Sequence, residues 1–269
     1  MARSWWKTTL AIALTALMLF PVYWMVNVSF TRREAIRLGK LLPLDFTTDN
    51  YRIVLHEQLP FLATSLIVGL GTVLLTVAIA APAGYGLARL KVPGGRVLSF
   101  ALIVAQMVPA VVMALGFYSI YTSLGILDTI PGLIIADSTI AVPFAVMLFS
   151  AFMRGIPVAL LQAAQLDGAS HWRIFRSVVL PVSRNSAITV ALFAFLWAWS
   201  DFLFASTLDR DGGSLRPITM GIYNYIGAQN QEWGPMMATA VLASIPTALL
   251  LVLAQKYVAA GVTAGSVKD

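Results

Sequence analysis

Apolar and polar residues come along this chain in long blocks rather than in short alternations. Apolar runs fall at about 8–30, 61–88, 98–121, 132–153, 187–208 and 235–257. Each is long enough to cross a hydrocarbon core of roughly 30 Å, which takes about 20 helical residues. The pattern therefore predicts an all-α membrane protein with six transmembrane helices.

The polar segment 154–186 separates the fourth and fifth runs and carries Arg154, Gln162, Gln165, Asp167, His171, Arg173, Arg176 and Arg184. It is too polar for hydrocarbon and too regular for disorder, so it is expected to fold against something outside the bilayer. Pro157 suits the first position of a helix, where its missing N–H costs nothing, and Val158, Leu161 and Ala164 then share one face. Gly168 ends that helix, and Ser170 is a good N-cap for a second. In the second, Trp172, Phe175 and Val179 recur at helical spacing and Pro181 is the stop. Two short amphipathic helices joined at Asp167-Gly168 are predicted. The alternative is a connector helix pair lying on the membrane surface, as many multi-span proteins have.

Composition and charge sharpen this reading. Hydrophobic residues make up 59% of the 269 residues and charged ones only 11%, against roughly 25% charged in soluble domains. Cytoplasmic flanks of membrane helices carry the excess of Lys and Arg. With Arg3 and Lys7 inside, alternation puts Arg89, Lys91 and Arg96, the 154–186 segment and the tail with Lys256 and Lys268 inside as well, eleven of the 18 cations. Both termini are thus expected in the cytoplasm, in a multi-pass membrane protein. The outer exceptions Arg32, Arg33, Arg37, Lys40 and Arg52 share a loop with Glu34, Asp45, Asp49 and Glu57, which suggests a solvated, folded loop. The first run is longer than a signal-peptide core and is needed for even parity, so it reads as a retained anchor. Zero cysteines exclude disulfides and thiol chemistry, and the net charge of +6 fits basic cytoplasmic flanks rather than nucleic-acid binding.

The segment Gln162-Ala163-Ala164-Gln165-Leu166-Asp167-Gly168-Ala169, with Phe175 and Leu180-Pro181 downstream, resembles the cytoplasmic "EAA" loop of ABC-importer permeases. That pattern is Glu-Ala-Ala, two variable residues, Asp-Gly-Ala, then Phe and Leu-Pro. Gln162 stands where the family usually has Glu, which keeps a hydrogen bond and removes a charge. Further landmarks are similar to the permeases of maltose-type carbohydrate importers. They are Phe46-Thr47-Thr48-Asp49-Asn50-Tyr51, Ala83-Gly84-Tyr85-Gly86-Leu87-Ala88-Arg89, Leu124-Gly125-Ile126-Leu127-Asp128-Thr129, Trp199-Ser200-Asp201-Phe202 and the 261–268 tail. Ser200 replaces the Asn common in the Trp-Asn-Asp/Glu pattern.

The resemblance implies a single transmembrane domain over 1–269, of the type I ABC-importer permease (MetI-like) fold, with 154–186 as its coupling loop. It implies that Gln162, Ala163, Ala164, Asp167, Gly168, Ala169, Phe175, Leu180 and Pro181 couple the chain to an ATPase. It also implies the place and the partners: a prokaryotic cell membrane, with its lipid, a second homologous permease, two ATP-binding subunits and an extracytoplasmic solute-binding protein. The solute would be a di- or oligosaccharide or a related polyol, with a glycerol phosphate as the alternative. No Gly-x-x-x-x-Gly-Lys-Ser/Thr phosphate loop occurs in the chain, so no cofactor is expected on it, and ATP with magnesium belongs to the partner subunits.

Intramembrane acids are costly and by default suggest function. Asp137 and Asp201 fall inside the predicted spans, in their outer halves. Each could accept paired hydrogen bonds from sugar hydroxyls while Trp197 or Trp199 stacks on a sugar ring, and Gln106 and Tyr118 could line the same path. Each acid could equally cap a neighbouring helix or pair within the bundle. Pro109 and Pro143 read as helix kinks before they read as functional residues. An ion-coupled secondary transporter would show internal repeats and charges at broken helices near the midplane, and neither is clear here. An intramembrane enzyme is disfavoured because the two histidines, His56 and His171, lie in loops on opposite sides of the membrane in this topology and no nucleophile-base pair is visible.

Overall fold

The computed structural model describes residues 5–43, 45–90, 92–210, 216–227 and 231–264, with side chains described as far as 255. Arg3, Lys91, Ser214, and the side chains of Lys256 and of the 261–268 tail motif lie outside the described residues. The elements are α1 (Trp5–Ser29), α2 (Arg33–Ile36), α3 (Asp49–Arg89), α4 (Gly95–Ala105), α5 (Ala110–Leu124), α6 (Ile130–Arg154) and α7 (Val158–Leu166). They continue with α8 (His171–Ile174), a π-helical turn (Phe175–Val179), α9 (Leu180–Val182), α10 (Arg184–Ser200), α11 (Leu203–Leu208), α12 (Ile218–Gly221), a 3-10 turn (Ile222–Tyr225) and α13 (Trp233–Ala264). Among the described residues the only β pairing is two isolated bridges.

Four helices, α1, α3, α6 and α13, are each long and apolar enough to cross a membrane, and counting two bent helix pairs as one span each gives six. The bent pairs are α4 with α5 and residues 171–182 with α10, which meet at 77°, so the expected six is reached only by counting part of the polar segment with the fifth span. The run at 98–121 is broken between α4 and α5, which meet at 95°. Pro109, extended at φ −59° and ψ 131°, caps α5. A proline offers no N–H to the preceding turn and biases the residue before it away from helical geometry, so the helix has to restart there. The run at 187–208 is not one helix either: α10 ends at Ser200, Asp201 is extended, and α11 begins at Leu203. Pro143 lies within an unbroken α6. The second run is longer than its apolar part, since α3 begins at Asp49 and has 41 residues, about 60 Å at 1.5 Å per residue.

Contacts divide the chain into two units, one of residues 1–60 and 220–246, the other of 61–219 and 247–269. In the first, the charged loop between α1 and α3, expected on the outer side, is folded. Asn50 donates to the carbonyls of Ser29 (2.9 Å) and Thr31 (3.1 Å), and Phe30 packs on Phe46 and Tyr51 with ring centroids 5.2 and 4.7 Å apart. Thr47 and Asp49 bond to one another at the start of α3. Tyr225 donates to Glu57 (3.0 Å), and burial pushes its phenol up to about 12, so it remains a donor.

The second unit is organised by a core drawn from α3, α6, the 158–182 segment and α10. Ala80, Ala81, Tyr85, Val146, Phe149, Met153, Ile156, Leu161, Ile174, Phe175, Val179 and Val190 are buried together. Gly84 lets α3 and α6 touch: a Cβ there would lie 2.6 Å from Phe149 Cβ and 3.1 Å from the backbone nitrogen of Ser150. Small residues at such crossings permit the close backbone approach on which helix packing in lipid depends.

Candidate functional site

The 158–182 segment is a helical hairpin whose turn explains its own sequence. Pro157 is the extended residue that caps α7 (φ −56°, ψ 131°) rather than its first helical residue. At the other end, Gly168 takes φ +78°. The Gly168 N–H donates to the carbonyl of Gln165 and the Ala169 N–H to that of Ala164, both at 3.0 Å. This pair of bonds is the Schellman cap, which needs a left-handed residue after the helix and is commonly accompanied by an apolar contact between the two residues flanking it. Ala164 and Ala169 occupy those two positions and both pack against the core. The Ala, Asp-Gly-Ala part of the motif is thus the sequence of a helix terminator.

Ser170 then caps α8, its hydroxyl accepting from the Arg173 N–H at 3.3 Å. The second helix does not stop at Pro181, as the sequence suggests. It changes to a π-turn over Phe175–Val179, takes Pro181 into the first turn of α9, and ends at Ser183. Proline is tolerated in a first turn, where no helix partner awaits its missing N–H, and the π-turn upstream shifts the hydrogen-bond register at that point.

Burial divides the nine motif residues into two groups. Ala164, Ala169, Phe175 and Leu180 pack into the core of the second unit, with the Phe175 ring 5.4 Å from that of Tyr85 on α3. Gln162, Ala163, Asp167, Gly168 and Pro181 are exposed. Leu166 is 90% exposed and Trp172 64%, so two large apolar side chains stand among these polar ones. Sequence reasoning missed both. Leu166 occupies a variable position of the motif, and Trp172 falls on the helical spacing of the core residues Phe175 and Val179. Val158 is likewise exposed, whereas Leu161 is buried.

The six residues proposed for a solute path do not all line one cavity. Gln106, at the bend after α4, and Trp197, on α10 and 45% exposed, line one cavity of about 480 Å³ together with Thr139, Phe144 and Phe193. Tyr118 is exposed on α5 and does not line it. Trp199 is 6% exposed and stacks on Phe195 at 5.3 Å. Asp201 accepts from the N–H groups of Phe204 (3.1 Å) and Ala205 (2.9 Å), which is a helix cap on α11. Asp137 is fully buried in α6, and its two carboxylate oxygens have no hydrogen-bond partner among the described residues. No group of three or more His, Cys, Asp or Glu able to hold a metal occurs among the described residues.

Residues 78–264 match the family described as the binding-protein-dependent transport system inner membrane component. The chain belongs to that family. This inner membrane component is 34% identical over 254 residues to the trehalose transport system permease protein SugB of Mycobacterium tuberculosis, covering 93% of this chain and 92% of that one. It is 31% identical over 285 residues to the maltose/maltodextrin transport system permease protein MalG of Vibrio parahaemolyticus, covering 98% and 95%. Among solved structures, a chain of a bacterial ABC transporter involved in import of the acidic polysaccharide alginate superposes with a TM-score of 0.82 at 21% identity, over 93% of this chain and 94% of that one. The fold is therefore that of an ABC-importer permease, and this inner membrane component is a multi-pass membrane protein.

Proposed function

We propose that this chain is one permease half of an ATP-driven importer of a di- or oligosaccharide or a related polyol, itself non-catalytic. It is moved by two ATP-binding subunits that dock on the 158–181 hairpin. The observation that carries this reading is the division of the hairpin into a face locked into the core and an exposed rim of Gln162, Ala163, Leu166, Asp167 and Trp172. Leu166 and Trp172 with Gln162 and Asp167 around them form an apolar centre with a polar rim, the make-up of a protein interface, whereas a connector lying on the membrane surface would turn the same two side chains to lipid. The carbohydrate class is supported by relatives named for trehalose, maltose/maltodextrin and diacetylchitobiose transport.

The remaining partners are a second permease, which completes the pathway, and a solute-binding protein outside. Both termini and the hairpin lie on the cytoplasmic side. Of the residues proposed for the path, Gln106 and Trp197 keep that assignment, because they share an open cavity. Reconstitution of the four components in vesicles, with uptake of labelled trehalose and maltose measured with and without ATP, tests the reading. Uptake that requires ATP and the binding protein is the expected result, and uptake driven by an ion gradient without ATP overturns it.

A further inference from the structure

At the end of α3, the guanidinium of Arg89 lies against the last carbonyls of α6. Its Nε donates to the carbonyl of Met153 (2.9 Å), and one Nη donates to those of Arg154 (2.9 Å) and Ile156. A helix leaves its final carbonyls without helical partners, and a cation placed there also complements the helix dipole. Here the contact reaches past the helix end. The joint between α6 and α7 is only residues 155–157, and Arg89 holds the carbonyl of Ile156 in the middle of it. Gly155 and Ile156 turn back on α6 through their own N–H groups, at 3.0 and 3.3 Å. The joint is therefore held from both sides. The other end of the hairpin is tied to the same helix, where Tyr85, one turn before Arg89, packs on Phe175.

From this geometry we infer that Arg89 is a positioning residue for coupling: it clamps the α6–α7 joint so that displacement of the hairpin is passed on to α3 and α6 instead of being absorbed at residues 155–157. This rests on the reading of the hairpin as the ATPase dock. The physical need is stiffness, because a joint of three residues with free backbone dihedrals would let α7 pivot while the spans stayed put. Arginine suits the task through its rigid planar fork, which offers donors at fixed spacing to several carbonyls at once. Lysine offers three donors on one mobile point charge and cannot reproduce that spread.

The test uses the assembled transporter with its ATPase, second permease and solute-binding protein, carrying Arg89→Gln or Arg89→Lys. Both variants are expected to co-purify with the ATPase. Solute transported per ATP hydrolysed should fall at least fivefold in the Gln variant, with an intermediate value for Lys, while ATP hydrolysis persists. A general folding defect would instead lower hydrolysis and assembly together. In a second arm, spin labels at Ile79→Cys on α3 and Val158→Cys on α7, both exposed sites in a chain with no native cysteine, should give a narrow distance distribution that broadens in the Gln variant. Transport per ATP within twofold of wild type in the assembled Gln variant, or an unchanged distance distribution, overturns the assignment. So does failure of both variants to assemble, which would make Arg89 a folding residue. If the wild-type complex shows no ATP-driven uptake, the transport reading fails instead, and the distance arm still judges Arg89.

Discussion

Gly168 stands at φ +78°, and a Cβ built there would touch nothing within 4 Å. Its requirement is therefore conformational rather than steric: a left-handed residue costs an ordinary L side chain about 1–2 kcal/mol, less for Asn and more for a β-branched one. Gly168→Asn should keep most of the transport rate and Gly168→Val should lose most of it, measured in complexes matched for amount in the membrane. Wild-type transport by the Val variant would show that the turn is not needed. Asp137 makes the opposite case. Asp137 has no hydrogen-bond partner among the described residues; a carboxyl there is costly to ionise, and the amide of Asn fills the same space and does not ionise. Asp137→Asn should thus leave transport unchanged and raise the thermal unfolding midpoint of the purified complex or leave it as it was. A solute-binding acid would lose transport at unchanged stability.

At the scale of elements, the hairpin has two jobs on two faces, and they can be separated by mutation. Leu166 has no packing role within the chain, being 90% exposed. Leu166→Glu should therefore leave insertion and stability of the permease within about 0.5 kcal/mol, the usual range for surface changes. It should still reduce co-purification of the ATPase by more than tenfold. Loss of membrane-inserted protein, or normal co-purification, would count against the exposed rim as the dock. The helix breaks at Pro109 and Asp201 belong to this scale too. Both interrupt apolar runs that hydropathy reads as continuous, because a window average records how much apolar surface is present and not whether the backbone hydrogen bonds persist.

For the whole molecule, the membrane arrangement is open to a direct check, since the chain has no cysteine. Ser170→Cys should be protected from an impermeant thiol reagent added outside intact cells, and Ser214→Cys, which lies outside the described residues, should be labelled. Labelling of Ser170→Cys from outside would invert the topology. The sequence by itself determined the class: six apolar blocks, and one polar block whose Ala164, Gly168 and Ala169 spell a helix cap. Such features are local, since hydropathy and a cap depend on residues within a few positions of one another. Tertiary structure decided what each side chain faces. It buried Trp199 and exposed Trp172, gave Asp201 to α11 as a cap, left Asp137 without a hydrogen-bond partner among the described residues, and brought Arg89 to carbonyls more than 60 positions away. Those outcomes depend on how α3, α6 and α10 cross, and a crossing is fixed by close contacts such as Gly84 on Phe149, which no periodicity along the chain encodes.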